Sequence, residues 1–209
     1  VLYFKWKKLF STFVPKGTKV EKSFANILGG GSLMDVKKHM REAMYRLLLK
    51  DSIEDISVNM ILNESGVARS TFYRHYKDKY DLMNSYYETY FIETLSDASD
   101  KSWFDVTLTI ITFVCTNRQY YSNAFKVEGI NSCSDFFYNH SLWFAAKCYM
   151  ERKPATELTI EEEAAIVFYS AGCLQLIKQW FKKGGVTPPE EVSKIMCSIM
   201  PPILSEVLC

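Results

Sequence analysis

From residue 34 onward, apolar side chains recur every three or four positions, and almost every segment reads as helix. Val36, Met40, Ala43, Met44 and Leu47 open the pattern at the spacing that gathers them on one side of a helix. The same periodicity predicts helices over 35–50, 57–64, 68–75, 79–96, 103–117, 120–127, 133–151, 160–183 and 188–200. Three starts carry a hydroxyl three residues ahead of an acid, Ser102 with Asp105, Thr159 with Glu162 and Thr187 with Glu190, which lets side chains satisfy first-turn amides. Pro188 falls where a first-turn proline is tolerated. Gly184 and Gly185 end the helix that begins near 160, and Pro201 and Pro202 break the last one, leaving 203–208 as a short separate turn. No stretch alternates at the strand period and no repeat is visible, so the fold class is all-α.

Residues 1–33 differ from the rest, with six lysines against the single Glu21, poor helical periodicity and a closing run Gly29, Gly30, Gly31, Ser32. Three readings compete for this leader: a basic arm that grips DNA, a tag or linker remnant, or upstream sequence translated in error with Met34 as the true start. The glycine run favours the last, because a purine-rich ribosome-binding site read in frame yields glycine codons. The chain otherwise divides into 34–83, a helix-turn-helix unit, and 84–209, a larger helical domain for effector binding and dimerisation.

Composition narrows the function. Hydrophobic residues make up 48% of the 209, enough for a real core, and the net charge of +1 leaves no global basic field, so any nucleic-acid surface must come from local clustering. Six cysteines are scattered without a C-x-x-C pair or a histidine at a matching interval, which indicates neither a zinc site nor a redox pair; reduced thiols in a cytoplasmic protein are expected. The longest apolar stretch, 164–177, is too short to span a membrane. With three histidines there is no H-E-x-x-H, no G-x-S-x-G elbow and no phosphate loop, so neither an enzyme nor a cofactor is indicated.

The stretch 57–76 holds two short helices around a tight turn at Ser65 and Gly66. Ser57 can cap the first, Ile61 and Leu62 supply its buried side, and Val67 and Phe72 lock the second against it. The free face of the second helix shows Arg69, Ser70, Thr71, Tyr73 and Arg74, with His75, Lys77 and Lys79 just beyond, and 67–79 carries four Lys or Arg against Asp78. Guanidinium groups pair with guanine and hydroxyls reach phosphates, so this face suits a major groove. The outline alone does not decide the matter, since helix-turn-helix units occur in proteins that never touch DNA.

The run 66–79, followed by Asp81 and Leu82, resembles the TetR family of bacterial regulators. Phe72, Tyr73, His75 and Tyr76 reproduce the family's aromatic, aromatic, any, His, aromatic pattern, and Lys79 its following lysine; Ala68 departs from it, because many members carry serine there. The resemblance implies that 68–75 is a recognition helix, that Tyr73, His75 and Lys79 hold phosphates, and that Arg69, Ser70 and Thr71 face bases. The candidate DNA-facing set is thus Ser57, Ala68, Arg69, Ser70, Thr71, Tyr73, His75 and Lys79. The C-terminal half is similar to the subgroup related to dihydroxyacetone kinase regulators, where activation through a partner protein is known, which implies an adaptor or activator as the alternative to a repressor released by an effector.

Aromatics crowd 103–200. They read first as packing, but collectively permit a pocket for a small, largely apolar effector, with Phe113, Phe136, His140, Trp143 and Phe144 as candidate lining. Ala165, Phe168, Tyr169, Gly172 and Leu176 recur at helical spacing, as do Ile195, Met196 and Ile199, and two such stripes would build a four-helix bundle across a two-fold axis. Both stripes could equally pack within one chain.

Overall fold

The computed structural model describes residues 31–95, 101–153 and 157–209, so the leader lies outside the described residues except for its last three. Ten helices are described: α1 (Gly31–Leu48), α2 (Val58–Ser65), α3 (Arg69–His75), α4 (Lys79–Leu95), α5 (Trp103–Thr116), α6 (Arg118–Ala124), α7 (Cys133–Arg152), α8 (Ile160–Lys182), α9 (Pro189–Ser198) and α10 (Pro202–Leu208). The fold is all-α, with the N-terminal helices in a helix-turn-helix arrangement and a larger helical part beyond. None of the described helices is long and apolar enough to cross a membrane.

Local chemistry sets most boundaries. Ser57 caps α2 by accepting from Met60 N, while Met60 Sδ accepts in return from Ser57 N. Gly66 ends α2 with φ at 69°, a conformation that L side chains adopt at a cost, and its N–H reaches Leu62 O. Ser102 and Thr159 cap α5 and α8 as their spacing predicts. Thr187 does not cap α9: Pro188 occupies the cap position with no side-chain bond, Pro189 takes the first turn, and the Thr187 carbonyl accepts from Trp180 Nε1 at 3.2 Å. Proline at the first helical position has its φ preset for the helix, so α9 starts on Pro189, one residue later than a Thr187 cap requires. The break at Pro201 and Pro202 yields a full helix, α10, with Pro202 at its start.

The core runs unbroken from one part of the chain to the other. Met40, Met44 and Leu48 of α1 pack on α2 and α4, and Asn123 Nδ2 of α6 donates to Leu48 O at 2.8 Å, satisfying a carbonyl at the end of α1. α4 continues into the larger part, where it packs on α7. There Tyr90 lies flat on Phe113, centroids 3.7 Å apart, and Phe91 meets Phe144 edge-on at 4.8 Å. α5 packs on α9 and α7 on α8. Arg152 gathers three ends at once, its guanidinium donating to Leu208 O at the close of α10 and to Lys101 O just ahead of α5.

The α7–α8 junction depends on one carboxylate. Glu162, 4% exposed, accepts from Tyr149 OH at 2.7 Å, Lys153 Nζ at 2.9 Å and Thr159 N at 2.8 Å. The Lys153 bond and then the Thr159 amide hold its carboxyl down to about 2. A carboxyl lowered in the folded state adds stability above its unfolded pKa of about 4.5, and that stability is lost as pH falls through about 2. Glu162→Ala, which also strands the buried Tyr149 hydroxyl, is expected to lower unfolding free energy by about 1–3 kcal/mol at neutral pH. Urea titrations of both proteins should show the gap narrowing steadily below pH 4.5; a gap constant with pH would contradict this assignment.

Candidate nucleic-acid interface

The second helix of the turn unit is anchored by aromatics and open on its other side. Phe72 is fully buried and Tyr76 nearly so, while Arg69, Ser70, Tyr73 and Arg74 are exposed and Thr71 is half-buried. Positions 69, 70, 73 and 74 therefore form one outward face without an acid. Tyr73, 49% exposed, stands edge-on to Phe72 with centroids 5.2 Å apart, so its ring is braced from below. Ala68 occupies the α3 cap and makes no side-chain cap bond, as expected for the residue that replaces serine.

Arg69 is already placed. Its Nη2 donates to Asn59 Oδ1 of α2 at 2.5 Å, and its guanidinium lies 5.9 Å from the Tyr73 ring centroid. Pairing of Arg46 Nε with Glu64 Oε1 at 2.6 Å ties α1 to α2. Ser57 spends its hydroxyl oxygen as a cap acceptor, with the residue exposed.

Two residues expected to grip phosphate are otherwise engaged. Lys79 Nζ donates to the carbonyls of Ile53, Glu54 and Ile56 at 2.7, 3.0 and 2.8 Å, and an ammonium has three protons to give. Burial lowers its pKa, opposed by the nearby Glu54 and Asp55. Two first-turn amides of α4 are taken as well, since Asp78 Oδ1 accepts from Tyr80 N and Asp81 N, both at 2.8 Å. Lys79 thus fastens the loop between α1 and α2 to the start of α4. His75 turns Nε2 inward, where it has no partner, and burial first, then Lys37 and Arg74, lower its pKa. That nitrogen is not offered to a phosphate.

The two stripes read as a subunit interface split into inner and outer residues. Tyr169 and Met196 are buried within the chain, where Tyr169 OH donates to Met196 O at 3.2 Å and accepts from Trp103 Nε1 at 3.0 Å, so they leave the interface set. Phe168 is 75% exposed, Ile195 and Ile199 are exposed, and Ala165, Gly172 and Leu176 are half-buried. A Cβ built on Gly172 meets nothing within 4 Å, so nothing in its own chain requires glycine there.

Of the residues expected to line a pocket, His140 and Phe144 do, facing a cavity of about 80 Å³. Phe113 instead stacks on Tyr90, Phe136 packs edge-on to Tyr87, and Trp143 lies beneath Lys147, whose Nζ is 5.9 Å from its ring. The sequence reading missed Trp103, Ser170 and Ile177, which the crossing of α5, α7 and α8 brings to the cavity.

The described residues thus form a helix-turn-helix with an outward basic face on its second helix, joined by one helix to a larger bundle, the arrangement of two-part helical regulators. Comparison with known proteins gives the family. Residues 42–86 match the model of bacterial regulatory proteins of the tetR family and residues 101–201 that of a TetR-type transcriptional regulator C-terminal region, and the chain belongs to the TetR family. It is 25% identical over 93 residues to the HTH-type dhaKLM operon transcriptional activator DhaS of Lactococcus lactis subsp. lactis strain IL1403, a match covering 44% of this chain and 50% of that protein. An HTH-type transcriptional regulator of Staphylococcus aureus strain USA300 is 39% identical over 46 residues, 22% of this chain and 25% of that one. The chain thus spans half or less of the curated relatives it matches. The solved structure of a dihydroxyacetone kinase operon activator, DhaS, superposes with a TM-score of 0.60 at 15% identity, covering 83% of this chain and 98% of that one, a likeness of fold.

The Lys79 geometry is directly testable. Lys79→Ala should cost about 1–3 kcal/mol of stability and speed hydrogen exchange at residues 53–57. Unchanged exchange there would show that the three carbonyl bonds do not hold the loop.

Proposed function

We propose that the chain is a homodimeric regulator that binds a near-palindromic operator through α3 and is released from it by a small-molecule effector in the larger helical part. The observation that carries DNA binding is the acid-free outward face of Arg69, Ser70, Tyr73 and Arg74 on a helix anchored by Phe72. In this reading Arg69, Ser70 and Thr71 approach base edges, and the phosphate grip assigned to Lys79 by resemblance passes to Tyr73, Arg74 and Lys77, whose polar ends are exposed.

The dimer surface is the outer face of α8 with Ile195 and Ile199 of α9. From 164 to 177 that helix has no charged residue, and a long uncharged face carrying an exposed phenylalanine and an open glycine favours helix-on-helix contact with a second copy. A second reading, activation of transcription through a protein partner, is supported by homology to a protein described as an operon activator.

Mobility shift on fragments flanking its own gene should show sequence-specific retention. Arg69→Ala should cost on the order of 1–3 kcal/mol at one base pair and relax preference there, whereas Arg74→Ala should weaken all sequences alike and reduce the salt slope by about one per half-site contact. Light scattering should give a dimer for the wild type and a shift towards monomer for Gly172→Arg, which places a charge where the backbones approach. A wild-type monomer that still binds a palindromic site tightly would defeat the dimer reading. A shift in preference with Arg74→Ala and not with Arg69→Ala would defeat the orientation of α3.

A further inference from the structure

One side-chain bond joins the two helices of the turn unit near the start of the recognition helix. Arg69, the first residue of α3, donates from Nη2 to Oδ1 of Asn59, in the first turn of α2, at 2.5 Å. Both residues are exposed, so the bond is not needed to satisfy a buried group. Which amide atom faces the arginine follows from the donor. A guanidinium has N–H groups alone to offer and no acceptor, so Asn59 must turn its oxygen to Arg69 and keep its NH2 for another partner.

That arrangement bears on what Arg69 can read. Its fixed partner is a neutral amide, so its charge is not spent; Glu64, the single acid of α2, pairs with Arg46 instead. The Tyr73 ring lies 5.9 Å from the guanidinium carbon and restrains it further. Arginine has much rotamer freedom to lose on binding, and restraints made beforehand remove part of that cost. The donors that remain suit a base edge with two acceptors. Guanine presents N7 and O6 in the major groove and takes an arginine fork on both. Adenine and cytosine each place an amino donor there, which an arginine cannot accept. The other way to use these residues, Asn59 reading adenine through Oδ1 and Nδ2 together, draws on the oxygen that Arg69 already holds.

We propose that Asn59 is a positioning residue for base recognition: it holds the Arg69 guanidinium at the start of α3 so that the remaining donors meet N7 and O6 of one guanine in each half-site. The proposal rests on the regulator reading above and gives the operator its first base. The two residues come from different helices, whose packing is held by the Gly66 turn and the buried Phe72, so the fold sets the place of the arginine before any duplex arrives. Asn59 acts through Arg69; its effect on preference falls at the base pair that Arg69 contacts.

The test is selection of bound duplexes from a random library by the full chain, which gives base preference position by position. The wild type should enrich guanine at one position of each half-site, and Arg69→Ala should abolish that preference. Asn59→Ala should reduce it about two- to tenfold and leave the other positions unchanged. Asn59→Asp keeps an acceptor for Arg69 but brings a carboxylate to a polyanion, so it should retain the guanine ratio while weakening all sequences. Nitrogen-detected NMR of the Arg69 guanidinium needs no DNA: its rotation should be hindered in the wild type and Asn59→Asp and freer in Asn59→Ala. Position 59 is exposed and helical, so both variants should stay folded by circular dichroism. A guanine preference that survives Asn59→Ala intact, a loss of adenine in its place, or a guanidinium equally free in wild type and Asn59→Ala would each overturn the proposal. Failure of the regulator reading looks different: the wild type then retains no sequence over another, and this proposal falls with it even where the NMR shows the pair.

Discussion

One ammonium group sets the posture of the helix-turn-helix. Lys79 Nζ sits over the carbonyls of Ile53, Glu54 and Ile56, at the point where α4 begins and the loop from α1 to α2 turns. Those carbonyls belong to an irregular segment and would otherwise need water, and the lysine supplies three charge-assisted bonds in their place. With Asp78 capping the first turn of α4, both ends of this junction are fixed. A movement of α4 that keeps these three bonds carries the loop with it.

The same helix leads into the aromatic core. Tyr87 stands two turns along α4 from Lys79, lines the cavity, and packs on Phe137 at 4.4 Å between centroids and on His140 at 5.3 Å. Phe91, one turn further, packs on Phe144. A close-packed interior of rings does not deform smoothly, so a guest that separates α5 from α7 shifts whole helices. In the proposed reading, coupling would run from an effector through Tyr87, α4, Lys79 and the loop to α3. The route is contiguous packing and hydrogen bonding in one structure. Its use as a switch also requires a second arrangement of α4 that the guest prefers.

Helix positions and the turn unit were legible in the sequence because their causes are local. Ser57, Ser102 and Thr159 cap what they precede, Gly66 supplies the left-handed turn, and Phe72 falls on the inner side of a short amphipathic helix. The contents of the larger part were less so. From 164 to 177 α8 is apolar nearly all round, so periodicity cannot separate Phe168, which faces out, from its neighbour Tyr169, which faces in. Thr187 looked like a cap, yet the helix starts one residue later, with Pro188 at the cap position and Pro189 in the first turn. Lys79 shows the limit most plainly. Its partners lie 23 to 26 residues away, and a lysine at the start of a helix after a basic segment reads the same whether it meets phosphate or carbonyl.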